Sequence, residues 1–186
     1  MAGRNAAALL VVDMIGLLDF PGARRMAAPA LAAARRIHAL RRAFHGRAWP
    51  VVFANDHFDH WHGGFGELVA KASAAGGVPR EIATLLAPDG RDHHLLKPKH
   101  SAFLATPLPV LLGKLGVCRL LLAGMALEGC VLATALDANA REFQVAVVRD
   151  AVAGLPRLHA ATLDVVSGSR AARVVSSRTA MRWAAD

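Results

Sequence analysis

Three residues with reactive side chains each follow an apolar run. Asp13 follows residues 8–12, Lys97 follows the weaker run at 94–96, and Cys130 lies shortly after residues 120–123. A thiol can attack a carbonyl carbon, an acid can carry the proton and an amine can stabilise the thiolate. An isolated cysteine is more often a buried structural residue, and this is how we interpret Cys118. The sequence therefore supports both a nucleophilic and a structural interpretation of Cys130.

The apolar runs predict the strands that position these residues. Runs at 8–12, 51–54, 120–123 and 145–148 are continuously apolar, as in a parallel sheet covered on both faces, and weaker runs occupy 94–96 and 173–175. Helical periodicity fills 24–47, 108–115 and 128–141. We therefore predict an α/β protein: a single doubly wound domain over residues 1–186, with a mostly parallel six-stranded sheet and helices on both faces. The glycine-rich stretch 56–77 is predicted to be irregular.

The predicted fold brings the reactive residues together. Ligands bind at the carboxyl ends of the strands in open α/β sheets, and Asp13, Lys97 and Cys130 all follow strands. Gly124 and Gly129 permit a sharp turn, after which backbone amides near Cys130 can face a developing oxyanion. Because Cys130 begins a predicted helix close to Lys97, we expect a lowered thiol pKa and rapid labelling by iodoacetamide.

Four sequence segments also resemble a known family. ALLVVDM at 8–14, PVVFANDHFDHW at 50–61, LKPKHSAF at 96–103 and the segment 124–154, which begins GMALEGC, occur in the order found in isochorismatase-like cysteine hydrolases. This family includes nicotinamidases, N-carbamoylsarcosine amidase and isochorismatase. The resemblance spans nearly the whole chain. It implies a hydrolase that cleaves a small-molecule amide or ureido C–N bond through a cysteine thioester.

The resemblance assigns roles to individual residues. Asp13 matches the general acid/base and Cys130 the nucleophile. Lys97 matches the family lysine, which stands four residues before Ser-Ala-Phe, so Lys99 is a flanking residue. The resemblance also implies a cis peptide between Met125 and Ala126, in a turn whose amides, together with that of Cys130, form the oxyanion hole.

The segments after the first two predicted strands are expected to form the substrate pocket. Gly16-Leu17-Leu18 replaces a more polar family segment and makes one wall apolar. The predicted pocket residues are Phe20, Asn55, Asp56, Phe58 and Trp61.

We predict no metal cofactor. Family members that use a metal carry an Asp-x-His motif after the second strand, whereas this chain reads Asp-His-Phe-Asp-His-Trp-His at 56–62. These residues nonetheless provide a weaker alternative, a zinc or iron site. Its ligands would come from Asp56, His57, His60 and His62.

Two other functions remain open. The same fold could cleave a vinyl ether, as isochorismatase does, through Asp13 and without the thiol. Alternatively, it could be a non-catalytic binding or assembly module whose arginine pairs, such as Arg24-Arg25, contact an acidic partner. The net charge is +8, but aromatic residues make up only 5% of the chain and tyrosine is absent, so we do not expect nucleic-acid binding.

Composition indicates the cellular setting. Two cysteines without a CxxC pair suit a reducing compartment, so we expect a cytoplasmic protein. Asp13 interrupts the apolar N-terminal run, which argues against a secretory signal. No apolar stretch is long enough for a membrane helix. The expected partner is a small-molecule substrate, and the resemblance implies a homo-oligomer.

Overall fold

The computed structural model describes residues 6–57 and 62–186, in which strands and helices alternate. The six strands in these ranges are β1 (Ala6–Val12), β2 (Val51–Asp56), β3 (His93–Lys97), β4 (Val117–Gly124), β5 (Gln144–Val152) and β6 (Arg173–Val175). The seven α-helices in the same ranges are α1 (Ala23–His45), α2 (Phe65–Ala75), α3 (Gly77–Leu86), α4 (Leu108–Lys114), α5 (Leu132–Ala140), α6 (Pro156–Gly168) and α7 (Ser177–Ala185). A wider π-helical turn, Leu127–Val131, precedes α5.

All six strands are parallel and lie in the order β3-β2-β1-β4-β5-β6. The chain runs outward from β1 to β3, returns to place β4 beside β1, and then runs outward on the other side. At such a reversal the connections leave the two neighbouring strands in opposite directions and open a crevice at their carboxyl ends. The predicted α/β fold, with a parallel six-stranded sheet, is confirmed.

Both faces of the sheet are covered, which explains why the strand sequences are continuously apolar. In β1, Leu9 and Val11 pack on one face while Leu10 and Val12 pack on the other, and all four are fully buried. Helices α1, α2, α3 and α7 cover the first face, and α4, α5 and α6 cover the second. The central strand is therefore anchored from both sides, so its carboxyl end holds a fixed position.

The predicted irregular stretch 56–77 is partly wrong, because residues Phe65–Ala75 form α2. Phe65, Leu68 and Ala72 are buried at helical spacing, and this short pattern stabilises the helix despite the glycines around it. Gly76 has a φ of 81° and separates α2 from α3. In the described ranges, no helix combines the length and the apolar character needed to cross a membrane.

Candidate active site

The side chains of Asp13, Lys97 and Cys130 meet at the carboxyl ends of the strands. Lys97 Nζ lies 2.8 Å from Asp13 Oδ2 and 3.5 Å from Cys130 Sγ. It also donates to the Lys99 carbonyl oxygen at 2.9 Å and lies 3.7 Å from Asp56 Oδ2. The Lys97 side chain is fully buried. A buried ammonium is retained only where acceptors surround it, and these four groups supply them.

Strand order explains why these residues meet. The last residue of β3, Lys97, is in register with Asp56 on β2, and β2 lies directly beside β1. The Asp56 amide donates to Asp13 Oδ1 at 2.6 Å. Asp13 itself has a φ of 49°, a left-handed conformation that aspartate tolerates better than most residues. The carboxylate is thus held through one oxygen by the β2 backbone and through the other by Lys97.

Burial and charge act in opposite directions on Asp13 and Lys97. Burial raises the pKa of Asp13 above its ordinary value, although Lys97 and the Asp56 amide partly oppose this. Burial is the largest influence and alone would lower the pKa of Lys97, but Asp13, Cys130 and Asp56 together outweigh it, so the net pKa is raised. Lys97 is therefore a fixed positive charge, while Asp13 is the member of the pair that can take up a proton.

The thiol of Cys130 has a pKa raised to about 12. Burial is the largest cause, the negative charge of Asp13 is the next, and Lys97 lowers the pKa only in part. The expected net lowering of this pKa is therefore wrong in sign, because Asp13 and burial outweigh Lys97. The resting thiol carries its proton, and Asp13 lies within hydrogen-bonding reach to receive it.

The turn after β4 positions Cys130. The Met125–Ala126 peptide bond is cis, the conformation that the resemblance implies there. The Met125 amide donates to the Val12 carbonyl at 2.9 Å, so it is already engaged. The Leu127 amide donates to Ala153 at 2.8 Å, which ties the turn to the end of β5. The following π-helical turn contains Cys130, whose side chain is half-buried.

Replacing Gly124 by alanine should strongly destabilise this turn. Gly124 has a φ of 119°, and a Cβ there would lie 2.0 Å from the Val12 carbonyl oxygen, a backbone atom that cannot move aside. We expect the free energy of unfolding in urea to fall by about 3 kcal/mol or more. Gly113→Ala is the matched control, because nothing lies near its added methyl group, and it should leave stability unchanged or raised. Equal stability of the two variants would contradict this account of the turn.

The loop after β1 forms a narrow pocket beside Asp13. The pocket has a volume of about 20 Å³ and is lined by Asp13, Met125 and the stretch 16–20, including Phe20. Asn55 is buried, and its side-chain amide bonds to both the amide and the carbonyl of Ile15, so it fixes this loop and is not among the lining residues described. Asp56 faces Lys97. The other two predicted pocket residues, Phe58 and Trp61, lie outside the described residues.

Two of the four residues of the alternative metal site have other contacts. Asp56 faces Lys97, and His57 Nε2 contacts the Gly63 carbonyl at 2.8 Å. His62 is exposed, and His60 lies outside the described residues. Within 6–57 and 62–186, the only cluster with donor atoms close enough for a metal ion is His45, Asp89 and Asp92. Arg41 pairs with both carboxylates of that cluster, Asp89 and Asp92, and so supplies the positive charge that balances them.

One neighbour of the thiol was missed by the sequence reasoning. His100 is exposed, and its Nδ1 lies 3.6 Å from Cys130 Sγ. It stands three residues after Lys97, within the segment used for the family resemblance. A histidine next to a cysteine in space was detectable only once the loop after β3 had been placed.

Comparison with known proteins yields consistent matches. The isochorismatase domain model matches residues 7–179. The uncharacterized isochorismatase family protein YaaI of Bacillus subtilis is 34% identical over 146 residues, covering 78% of this chain and 80% of that protein. A maleamate amidohydrolase of Pseudomonas putida is 31% identical over 151 residues, covering 78% of this chain and 71% of that protein. The solved structure of an isochorismatase family protein from Desulfovibrio vulgaris superposes with a TM-score of 0.78 at 25% identity. The match covers 98% of this chain and 100% of that protein.

The chain belongs to the isochorismatase family of hydrolases. The family and enzyme class predicted from the four sequence segments are thereby confirmed. The relatives include an enzyme named as an amidohydrolase, and the matched region contains all three candidate catalytic residues. The roles of the individual residues remain predictions.

Proposed function

We propose that this protein hydrolyses a small-molecule amide or ureido C–N bond through a thioester on Cys130, with Asp13 and Lys97 as its partners. The observation that carries the proposal is the contact chain in which Lys97 Nζ joins Asp13 Oδ2 at 2.8 Å to Cys130 Sγ at 3.5 Å. Nucleophilic catalysis by cysteine requires a group that takes the thiol proton and a positive charge that stabilises the sulfur. Asp13 and Lys97 lie close enough to Cys130 to supply both.

In the first half-reaction the thiol proton passes to Asp13 as the sulfur attacks the carbonyl carbon. The raised pKa of Asp13 favours this transfer, whereas the raised pKa of Cys130 opposes it, so the proton moves as the sulfur attacks rather than ahead of the attack. Collapse of the tetrahedral intermediate breaks the C–N bond. The leaving nitrogen takes the proton from Asp13, and ammonia or an amine departs. The acyl group remains on Cys130 as a thioester.

Lys97 keeps the charge balanced during these transfers. When Asp13 is protonated, the negative charge that passes from the sulfur to the substrate oxygen, together with Asp56, whose Oδ2 lies 3.7 Å away, still balances the ammonium. Its raised pKa means that it holds its own proton throughout. We assign Lys97 an electrostatic role, which is to lower the energy of the thiolate as it forms.

The oxyanion of the intermediate would be bound by the amides of Ala126 and Cys130. The Met125 amide is engaged by Val12, so Met125 contributes to the turn rather than a hydrogen bond to the substrate. Two backbone donors aimed at one oxygen are worth several kcal/mol in a site that excludes water. We further propose, from the resemblance, that the enzyme acts as a cytoplasmic homo-oligomer without a metal cofactor.

A release assay tests the proposal. Purified protein is incubated with maleamate, N-carbamoylsarcosine, small ureido acids and nicotinamide, with and without EDTA, and ammonia is measured. We expect release from at least one of these compounds, at the same rate with EDTA. Isochorismate is incubated in parallel, and its cleavage with no ammonia release from any amide or ureido compound would favour vinyl ether chemistry instead. Absence of turnover on every compound, with no acyl group found on Cys130, would favour the non-catalytic module.

A further inference from the structure

The sulfur of Cys130 faces Asp13 and Lys97 on its buried side and a different residue on its solvent side. His100 is exposed on the loop after β3, with Nδ1 at 3.6 Å from Sγ. Asp13, in contrast, is only 5% exposed, and Lys97 is fully buried. The first half-reaction proposed above leaves His100 without a role, although it touches the reacting atom.

Asp13 is held on the buried side of the sulfur through both of its oxygens. Oδ1 accepts the Asp56 amide at 2.6 Å, and Oδ2 pairs with Lys97 at 2.8 Å. The water that hydrolyses the thioester must come from solvent. On the exposed side of the sulfur lies the imidazole of His100, whereas the carboxylate of Asp13 is buried. A base must lie within hydrogen-bonding reach of the water that it activates.

We propose that His100 is a catalytic residue of the second half-reaction, the base that activates water against the thioester. This inference rests on the proposed function, because it needs an acyl group on Cys130. Acylation and deacylation would then use different proton carriers, Asp13 on the buried side and His100 on the exposed side.

The second half-reaction balances with this assignment. The water oxygen bonds to the thioester carbonyl carbon, and one water proton passes to Nδ1 of neutral His100, the ring nitrogen that faces the sulfur. The tetrahedral intermediate collapses, the C–S bond breaks, and the electron pair stays on sulfur as a thiolate. The imidazolium returns this proton from Nδ1 to sulfur, across the 3.6 Å contact. The carboxylic acid leaves, and both the thiol and the neutral imidazole are restored.

A test with p-nitrophenyl acetate does not depend on knowing the natural substrate. This activated ester transfers an acetyl group to a nucleophilic cysteine and releases p-nitrophenolate. Protein in excess over the ester is mixed, quenched rapidly with acid and digested, and the acetylated Cys130 peptide is followed by mass spectrometry. The rise of the adduct gives the acylation rate and its decay gives the deacylation rate, within one time course.

We expect His100→Asn and His100→Gln to form the adduct at the parent rate and to lose it about 10²-fold more slowly. Both variants should fold, since His100 is exposed, and an unchanged rise shows directly that the site is intact. His159→Asn, a change at a partly exposed histidine on α6, is the matched control and should retain both parent rates.

The outcomes separate this inference from the proposed function. Decay at the parent rate in both His100 variants would overturn the role of His100 and leave the thioester standing. A rise slowed as much as the decay would also overturn it, because His100 would then act in acylation. If no acetyl group appears on Cys130 and Cys130→Ala releases p-nitrophenolate at the parent rate, the proposed function itself fails.

Discussion

Cys130→Ala should abolish turnover of the amide substrate, with a loss of about 10⁴-fold or more in kcat. The variant has no sulfur to form the thioester, while the buried pair of Asp13 and Lys97, joined at 2.8 Å, remains. Water could then reach the carbonyl carbon only by direct attack, without a nucleophile held in position. Ammonia release under saturating substrate is the measurement.

Cys118→Ala is the matched control for this change. Both cysteines are half-buried and neither forms a disulfide, but Cys118 lies in β4, near its amino end and away from the site. Its variant should keep parent activity, apart from any small loss of stability. Cys130→Ala with near-parent turnover would rule out the thioester and favour chemistry carried by Asp13 alone.

Asp13→Asn should lower kcat by about 10³-fold or more while making the thiol easier to ionise. An amide has the shape of the carboxylate but cannot receive the proton of Cys130 or pass it to the leaving nitrogen. At the same time, the charge that helps raise the pKa of Cys130 to about 12 is removed. The pKa of Cys130 should therefore fall, and the thiolate fraction at neutral pH should rise. Catalysis and alkylation are thus expected to change in opposite directions.

The alkylation measurement uses iodoacetamide across neutral to alkaline pH, with each cysteine peptide followed separately. The raised pKa of Cys130 replaces the rapid labelling expected from the sequence: in the parent protein, Cys130 should react slowly at neutral pH and about tenfold faster for each unit of pH gained, because only the thiolate reacts. In Asp13→Asn, Cys130 should react faster at neutral pH, while Cys118 keeps its parent rate. If both cysteines accelerate together, the variant has unfolded. An unchanged or slower rate at Cys130 would show that Asp13 does not hold the proton on the thiol.

The sheet was predictable because strands buried on both faces have continuously apolar sequences. Residues 8–12 and 145–148 are apolar without alternation, and both observed strands, Ala6–Val12 and Gln144–Val152, contain these runs. Helix α2 was missed because only Phe65, Leu68 and Ala72 bury, among glycines that usually mark loops. Whether so short an apolar pattern forms a helix depends on the core that it packs against, which the local sequence does not contain.

The site illustrates a different limit. The proximity of Asp13, Lys97 and Cys130 was predictable, because each lies at or after the carboxyl end of a predicted strand and these ends share one edge of a parallel sheet. The sign of the thiol pKa shift was not predictable, because it depends on whether burial and Asp13 outweigh Lys97 at the actual distances. Asn55 was expected in the pocket but bonds to Ile15, 40 residues away in the chain. The contact of His100 with Sγ likewise arises from loop geometry.

The most direct test of the central claim is to detect the acyl group on Cys130 during turnover. The parent protein is mixed with an excess of the amide substrate that it hydrolyses, quenched rapidly in acid and mapped by peptide mass spectrometry. The account predicts the acyl moiety of that substrate on the Cys130 peptide, at a level that disappears once the substrate is exhausted. Sustained ammonia release from protein whose Cys130 has first been fully alkylated would contradict it.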